Sequence, residues 1–253
     1  MFPNVAAIVR SWNKKIVKTK VRQLLEMGVG VVYVMVNAGP DRNSTKHWLK
    51  KLRKKYPKRV KVHVMFEGYS WTGALNAAVE AILMENMRRK SRGRALLEWA
   101  MPISNEVGLT KRCLAKMLKA GEEQGAMIVG TTFKATEEGK PVKLEKSYNT
   151  HYRNTLALLS LASPRLSFNS ITDGFGGMED AAYEFLIRAW GYTVLILDLL
   201  VPLEVGVNFN QKEKELRERN AIKQIIAYYK GIFLRGTRER KILNAIWRKM
   251  GFE

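Results

Sequence analysis

The chain has 253 residues, 46% of them apolar, enough for one large α/β domain or one such domain with a helical appendage. Its formal charge of +21 is lopsided: residues 1–120 carry 25 Lys and Arg against 7 Asp and Glu, the remainder 19 against 16, a field that favours anionic partners such as nucleotides, nucleic acid or an acidic membrane surface. The single cysteine, Cys113, excludes an intrachain disulfide and a cysteine-rich zinc site, and no run approaches the roughly 18 apolar residues of a membrane span.

With no apolar core of signal-peptide length over residues 1–14, the chain reads as a soluble protein of a reducing cytoplasm, with peripheral contact at the inner face of the membrane left open. Val5 to Val9 is a short apolar run ended by Arg10-Ser11-Trp12-Asn13, and Val29 to Val36 is a β-branched run ended by Asn37-Ala38-Gly39-Pro40-Asp41. Both predict buried strands closing in polar turns. Between them Ile16, Val17, Val21, Leu24 and Leu25 recur at helical spacing, and Trp48, Leu49, Leu52 and Tyr56 do so after the second strand. This βαβα order predicts a parallel sheet.

A third strand is expected over Val60 to Phe66, then a helix from Gly73 to Met87 with Ala74, Leu75, Ala78, Ile82 and Leu83 facing inward, then a fourth strand from Ala95 to Ala100. In an open parallel sheet, ligands sit at the carboxyl ends of the strands, so the turns after Val9, Val36, Phe66 and Met101 are expected to converge. Further on, Leu109 to Gln124 reads as a helix, Ala126 to Phe133 as a strand, Thr136 to Pro141 as a turn, and Tyr148 to Leu161 as a helix with Arg153 and Asn154 near its start. Val194 to Leu197 is a late strand. From Gln211 onward the pattern is helical and basic, with apolar stripes at Ile222, Ile225, Ile226, Tyr229, Ile232 and Phe233 and at Ile242, Leu243, Ile246, Trp247 and Met250.

The segment Gly174-Phe175-Gly176-Gly177-Met178-Glu179-Asp180 opens an amphipathic helix with two adjacent carboxylates behind a glycine-rich turn. A carboxylate at a helix N-terminus is held as the anion by the dipole and free N–H groups, which capping alone explains. The glycines add backbone without side chains, which leaves room for a bulky ligand beside the acid. His47, His63 and His151 have no metal-ligand spacing, and the cluster Lys50, Lys51, Arg53, Lys54, Lys55, Lys58 and Arg59 reads as a solvated helix face.

Taken in order, these segments resemble the family 2 inverting glycosyltransferases, nucleotide-sugar enzymes of GT-A fold, over about residues 3–206. Ala7-Ile8-Val9-Arg10-Ser11-Trp12-Asn13 is similar to the family's first strand and the turn beneath the nucleotide base. Val34-Met35-Val36-Asn37-Ala38-Gly39 is similar to its Asp-Asp-Gly motif, with Asn37 and Ala38 in place of the acids. Ser70-Trp71-Thr72-Gly73-Ala74-Leu75-Asn76 resembles the Gly-x-x-x-Ala-x-Asn segment, and Ser104-Asn105-Glu106 falls where the family has its Asp-x-Asp metal motif. Gly176-Gly177-Met178-Glu179-Asp180 matches the acceptor-side Glu-Asp motif.

The resemblance implies a GT-A domain over residues 1–211, with a mostly parallel sheet flanked by helices, and a basic amphipathic extension over 212–253. It implies that Asp180 is the base, with Glu179 orienting the acceptor, that Ser11, Asn13, Asn37, Asn76, Ser104, Asn105 and Arg153 hold the nucleotide sugar, and that Gly176, Gly177 and Met178 line the acceptor side. Glu106 would ligate Mn²⁺ or Mg²⁺, which prefer carboxylate oxygens and accept phosphate oxygens and water as further ligands. The expected reaction moves one sugar from a nucleotide-diphosphate donor to a hydroxyl acceptor, lipid-linked or glycan, with inversion; the Gln-x-x-Arg-Trp motif of processive synthases is absent, which favours single addition.

Two other readings stand beside it. A metal motif reduced to one acid also fits a non-catalytic nucleotide-sugar or polyanion binding module that kept the fold. A nucleic-acid binder is disfavoured, because no helix-turn-helix, zinc finger or single-strand aromatic pattern is present. The apolar stripes of segment 212–253 read first as core helices packing on the domain, while its 12 basic and 5 acidic residues, with Trp247 and Phe252 near its end, also fit an anionic membrane surface.

Overall fold

The computed structural model describes residues 1–11, 14–36, 42–65, 71–142, 153–163, 179–204, 223–224, 226–231, 233 and 235–249. Four βα steps come first: β1 (Phe2–Ser11), α1 (Lys14–Met27), β2 (Val29–Val36), α2 (Arg42–Lys55), β3 (Val60–Val64), α3 (Trp71–Lys90), β4 (Trp99–Ile103) and α4 (Lys111–Glu123). They are followed by β5 (Ile128–Glu137), β6 (Lys140–Val142), β7 (Ala157–Ser160), α5 (Glu179–Ala189), β8 (Val194–Glu204) and α6 (Arg238–Lys249).

The sheet runs β3-β2-β1-β4-β7-β5-β6, with β8 on the other side of β5. Strands β3, β2, β1 and β4 are parallel, β5 is parallel to β8, and β7 lies antiparallel between β4 and β5. Helices on both faces explain the continuous apolar runs. Val5, Ala7 and Val9 of β1 pack with α1, α2 and α4 residues such as Val17, Leu49 and Leu114, while Ala6 and Ile8 pack on the opposite face against Leu75 and Ile82 of α3 and Tyr183 of α5. The helix α4 starts where Thr110 Oγ1 accepts a hydrogen bond of 3.1 Å from the Cys113 N–H.

Four sequence expectations shift. The helix expected over Tyr148 to Leu161 is, where described, a turn at Arg153 and the strand β7, because Leu156, Ala157, Leu158 and Leu159 are buried on both faces between β4 and β5. A short apolar run buried on two sides has no period that separates strand from helix. The fourth strand begins at Trp99 rather than Ala95, since the Asn86 side chain pairs the Leu97 backbone at 2.8 Å in both directions and holds the lead-in away from the ladder. Leu83 is 41% exposed and Val79 takes the inward place, one helical step being enough to leave the buried stripe. Thr136 to Pro141 is a hairpin between β5 and β6, turned by Glu138 and Gly139 at φ 50° and 77°.

The C-terminal stripes have a partner in the domain. Ile226, Tyr229 and Leu243 are buried with Ala181, Ala182, Phe185 and Ala189 of α5, and Phe233, Ile246 and Trp247 pack around them. Ile222, Ile225, Ile232 and Met250 lie outside the described residues. Among the described residues, no helix is long and apolar enough to cross a membrane.

Candidate active site

The carboxyl ends of β1 and β4 meet where the sequence places its turns. Ser11, 3% exposed, closes β1 opposite Val36 of β2, and β4 ends at Ile103 beside Val9. Asn105 ties the two ends together, its Nδ2 donating to the Arg10 carbonyl at 2.8 Å. Its Oδ1 is buried with no hydrogen-bond partner among the described residues. Asn76 sits half-buried near the start of α3, a helix that begins at this end of the sheet because it returns from the top of β3 to the foot of β4.

The turn Ser104-Asn105-Glu106 is held from three further directions. The Ser104 N–H donates to the Thr155 carbonyl at 2.8 Å, fixing the turn to the segment before β7. From β8, the Glu204 N–H reaches the Glu106 carbonyl at 3.2 Å, and the Gly108 N–H reaches the Pro202 carbonyl at 2.8 Å. From α1, the Lys20 Nζ donates to the Val107 carbonyl and, at 2.9 Å, to Gln23 Oε1, while Gln23 Nε2 donates to the Leu109 carbonyl at 2.8 Å. Lys20 is only 3% exposed, and burial lowers its pKa to about 8, the nearby Glu106 charge opposing the shift. The Glu106 side chain itself is exposed.

Arg153 and Asp180 complete this end. Arg153 is 4% exposed and bridges to Leu156, which itself bridges to Ile103, so its backbone is carried close to the tip of β4. Asp180, 8% exposed in the first turn of α5, faces it with Arg153 Nη1 3.9 Å from Asp180 Oδ2. The second carboxylate oxygen accepts the Ala181 N–H at 2.8 Å, as an acid at a helix start does. One turn on, Glu184 is 1% exposed and bonded to Arg188 Nε at 2.8 Å.

Thus Ser11, Ser104, Asn105, Glu106, Arg153 and Asp180 lie at one end of the sheet, around the tips of β1 and β4. Asn13, Asn37, Gly176, Gly177 and Met178 lie outside the described residues, as does the side chain of Glu179. Among the described residues, no group of three His, Cys, Asp or Glu side chains could hold a metal ion alone. His63 stacks on Tyr33 with ring centroids 5.9 Å apart, and burial lowers its pKa, so its part is in packing. Sequence reasoning missed Lys20 and Gln23. The signal was present, a lysine standing three residues after Val17 and four before Leu24 on the buried face of α1.

Sheet order and helix placement give the chain a GT-A fold. The structure of S. aureus TarS residues 1–349 is similar at a TM-score of 0.59 and 12% identity, covering 96% of this chain and 69% of that one. The same protein in complex with UDP-GlcNAc matches at a TM-score of 0.60 and 13% identity, covering 100% and 73%. No protein-family profile and no curated protein matches the sequence.

Proposed function

We propose that this protein is a glycosyltransferase that moves one sugar from a nucleotide-diphosphate donor to a hydroxyl acceptor with inversion at the anomeric carbon. The observation that carries this reading is the pairing of Arg153 with Asp180 beside the Asn105 link between β1 and β4, on a fold shared with a protein solved with UDP-GlcNAc. In-line displacement needs a base for the acceptor hydroxyl on one side and compensation for a departing diphosphate on the other. Asp180 takes the proton. Arg153 is the cation set beside the departing diphosphate, and Ser11, Ser104, Asn76 and Asn105 supply polar contacts to nucleotide and sugar.

The exposed carboxylate of Glu106 is the donor chemistry that Mg²⁺ or Mn²⁺ takes together with diphosphate oxygens. Held there, such an ion would neutralise charge on the leaving group. The base, sugar and acceptor are settled by one experiment: thermal-shift screening against UDP-, GDP- and dTDP-sugars with and without Mn²⁺, followed by product analysis with hydroxyl acceptors. Stabilisation by one donor class with transfer, and an inverted product, is the expected result. No stabilisation by any donor defeats the reading.

The second reading is a nucleotide-sugar binding module without turnover. It draws on the turn that keeps Glu106 as its one acid. Donor stabilisation without transfer or donor hydrolysis is its signature.

A further inference from the structure

Apolar exposure in this chain is concentrated where uncompensated cations also gather. Among the described residues, four of the ten large hydrophobic side chains that are substantially exposed lie between residues 83 and 96: Leu83 at 41%, Met84 at 55%, Met87 at 73% and Leu96 at 42%. Leu83, Met84 and Met87 stand at i, i+1 and i+4 on the outer face of α3, opposite the buried Ala78, Val79 and Ile82. Residues 86–97, between Glu85 and Glu98, hold five cations and no acid. Arg89 is engaged by Glu85 at 3.3 Å and by the Ala95 carbonyl, whereas Arg88, Lys90, Arg92 and Arg94 are exposed.

The display is built rather than loose. The N–H groups of Arg92 and Arg94 reach the Arg89 carbonyl at 3.1 and 2.9 Å, Gly93 turns the chain at φ 60°, and Asn86 clamps both backbone groups of Leu97. Solvated helix faces normally place polar side chains where Met84 and Met87 stand. Exposed aliphatic side chains interspersed in sequence with exposed cations match the boundary of an anionic bilayer, where methionine and leucine enter the acyl edge and the cations meet lipid phosphates. A polyanion in solution would use the cations and leave the aliphatics without a role.

We infer that the end of α3 and the turn leading into β4 form a docking surface for an anionic membrane, with Leu83, Met84, Met87 and Leu96 inserting and Arg88, Lys90, Arg92 and Arg94 binding headgroups. Of the C-terminal stripes, Ile226, Tyr229 and Leu243 are buried against α5 and so do not contribute to such a surface. Met87 is about 24 Å along α3 from its first turn, at 1.5 Å per residue, so the docked surface lies well away from the end of the sheet where Arg153 and Asp180 meet.

The test uses the full chain with vesicles of one part phosphatidylglycerol to two parts phosphatidylcholine, and with phosphatidylcholine alone. The wild type should sediment with the anionic vesicles only. Met84→Gln with Met87→Gln should lower partitioning about tenfold at an unchanged melting temperature, and Arg92→Glu with Arg94→Glu should lower it at least as far. Lys50→Gln with Lys54→Gln on α2, and Lys241→Gln with Arg248→Gln on α6, should leave it unchanged. Wild-type partitioning by the methionine variant, with loss only in the arginine variant, would make the patch a polyanion site and overturn the inference. So would loss in the α2 or α6 variants in its place.

Discussion

Arg153 Nη1 stands 3.9 Å from Asp180 Oδ2, and both side chains are almost wholly removed from solvent. One comes from the turn before β7 and the other from the first turn of α5, so the pair joins the strand tips to the helix that carries the acid. Asp180→Asn keeps shape and the helix start but removes the proton acceptor. Turnover should fall roughly 10²- to 10⁴-fold with donor-induced stabilisation retained. Arg153→Met takes a cation from a buried carboxylate, a change that costs about 3–5 kcal/mol in comparable sites, to be read by urea unfolding.

Asn105 couples β4 to β1 through one hydrogen bond while burying an acceptor that has no partner among the described residues. For Asn105→Ala the two effects oppose: losing the bond costs about 1 kcal/mol, and losing the buried carbonyl returns a similar amount. Net stability should therefore change little while KM for the donor rises at least tenfold. Asn105→Asp is different, because a carboxylate oxygen would face the Arg10 carbonyl in place of a donor. That variant should lose about 1–3 kcal/mol, and one as stable as the wild type would show that the link to β1 is dispensable.

The parts of the fold legible in the sequence are those set by local periodicity. The runs Val5 to Val9 and Val29 to Val36 announce strands covered on both faces, and the stripe Ala74, Leu75, Ala78 and Ile82 announces a helix on one of them. Arg153 was visible as a candidate but not its setting, since Leu156 to Leu159 reads equally as helix or buried strand until β4 and β5 enclose it. The framework of the Ser104-Asn105-Glu106 turn was not legible at all. Its partners at Arg10, Lys20, Gln23 and Glu204 are distant in the chain, and such pairings follow from sheet order, which no local pattern encodes.

Gly121 separates stability from site function. A Cβ there would lie 2.9 Å from Trp99 Cη2 and 3.0 Å from Val129 Cγ2, inside the layer between α4 and the sheet. Gly121→Ala gains up to about 1 kcal/mol of helix propensity but forces a dense core apart, at a cost of about 1–3 kcal/mol. Overpacking should win, lowering the melting temperature, while the folded fraction keeps its kcat/KM. A fall in KM or kcat alone, with stability unchanged, would contradict the packing argument.

Lys20 makes the sharpest prediction because its sign is set by burial. Its pKa falls from 10.5 to about 8, chiefly through desolvation, so the folded state holds this proton less tightly than the unfolded chain. Below pH 8 both states are protonated and the folded state carries the full cost of a buried ammonium. Between about pH 8 and 10.5 the folded state releases the proton first and that cost is progressively relieved. The stability of the wild type minus that of Lys20→Met should therefore rise with pH across this window, by up to about 3 kcal/mol at 1.36 kcal/mol per pKa unit. At pH 7 the methionine variant should equal or exceed the wild type in stability, as apolar replacements of buried charge often do, yet bind donor more weakly because Val107 loses its anchor. Urea unfolding of both proteins at pH 7 and pH 9.5 decides the matter: a constant difference between them would mean that Lys20 is already neutral, or well solvated, in the folded protein.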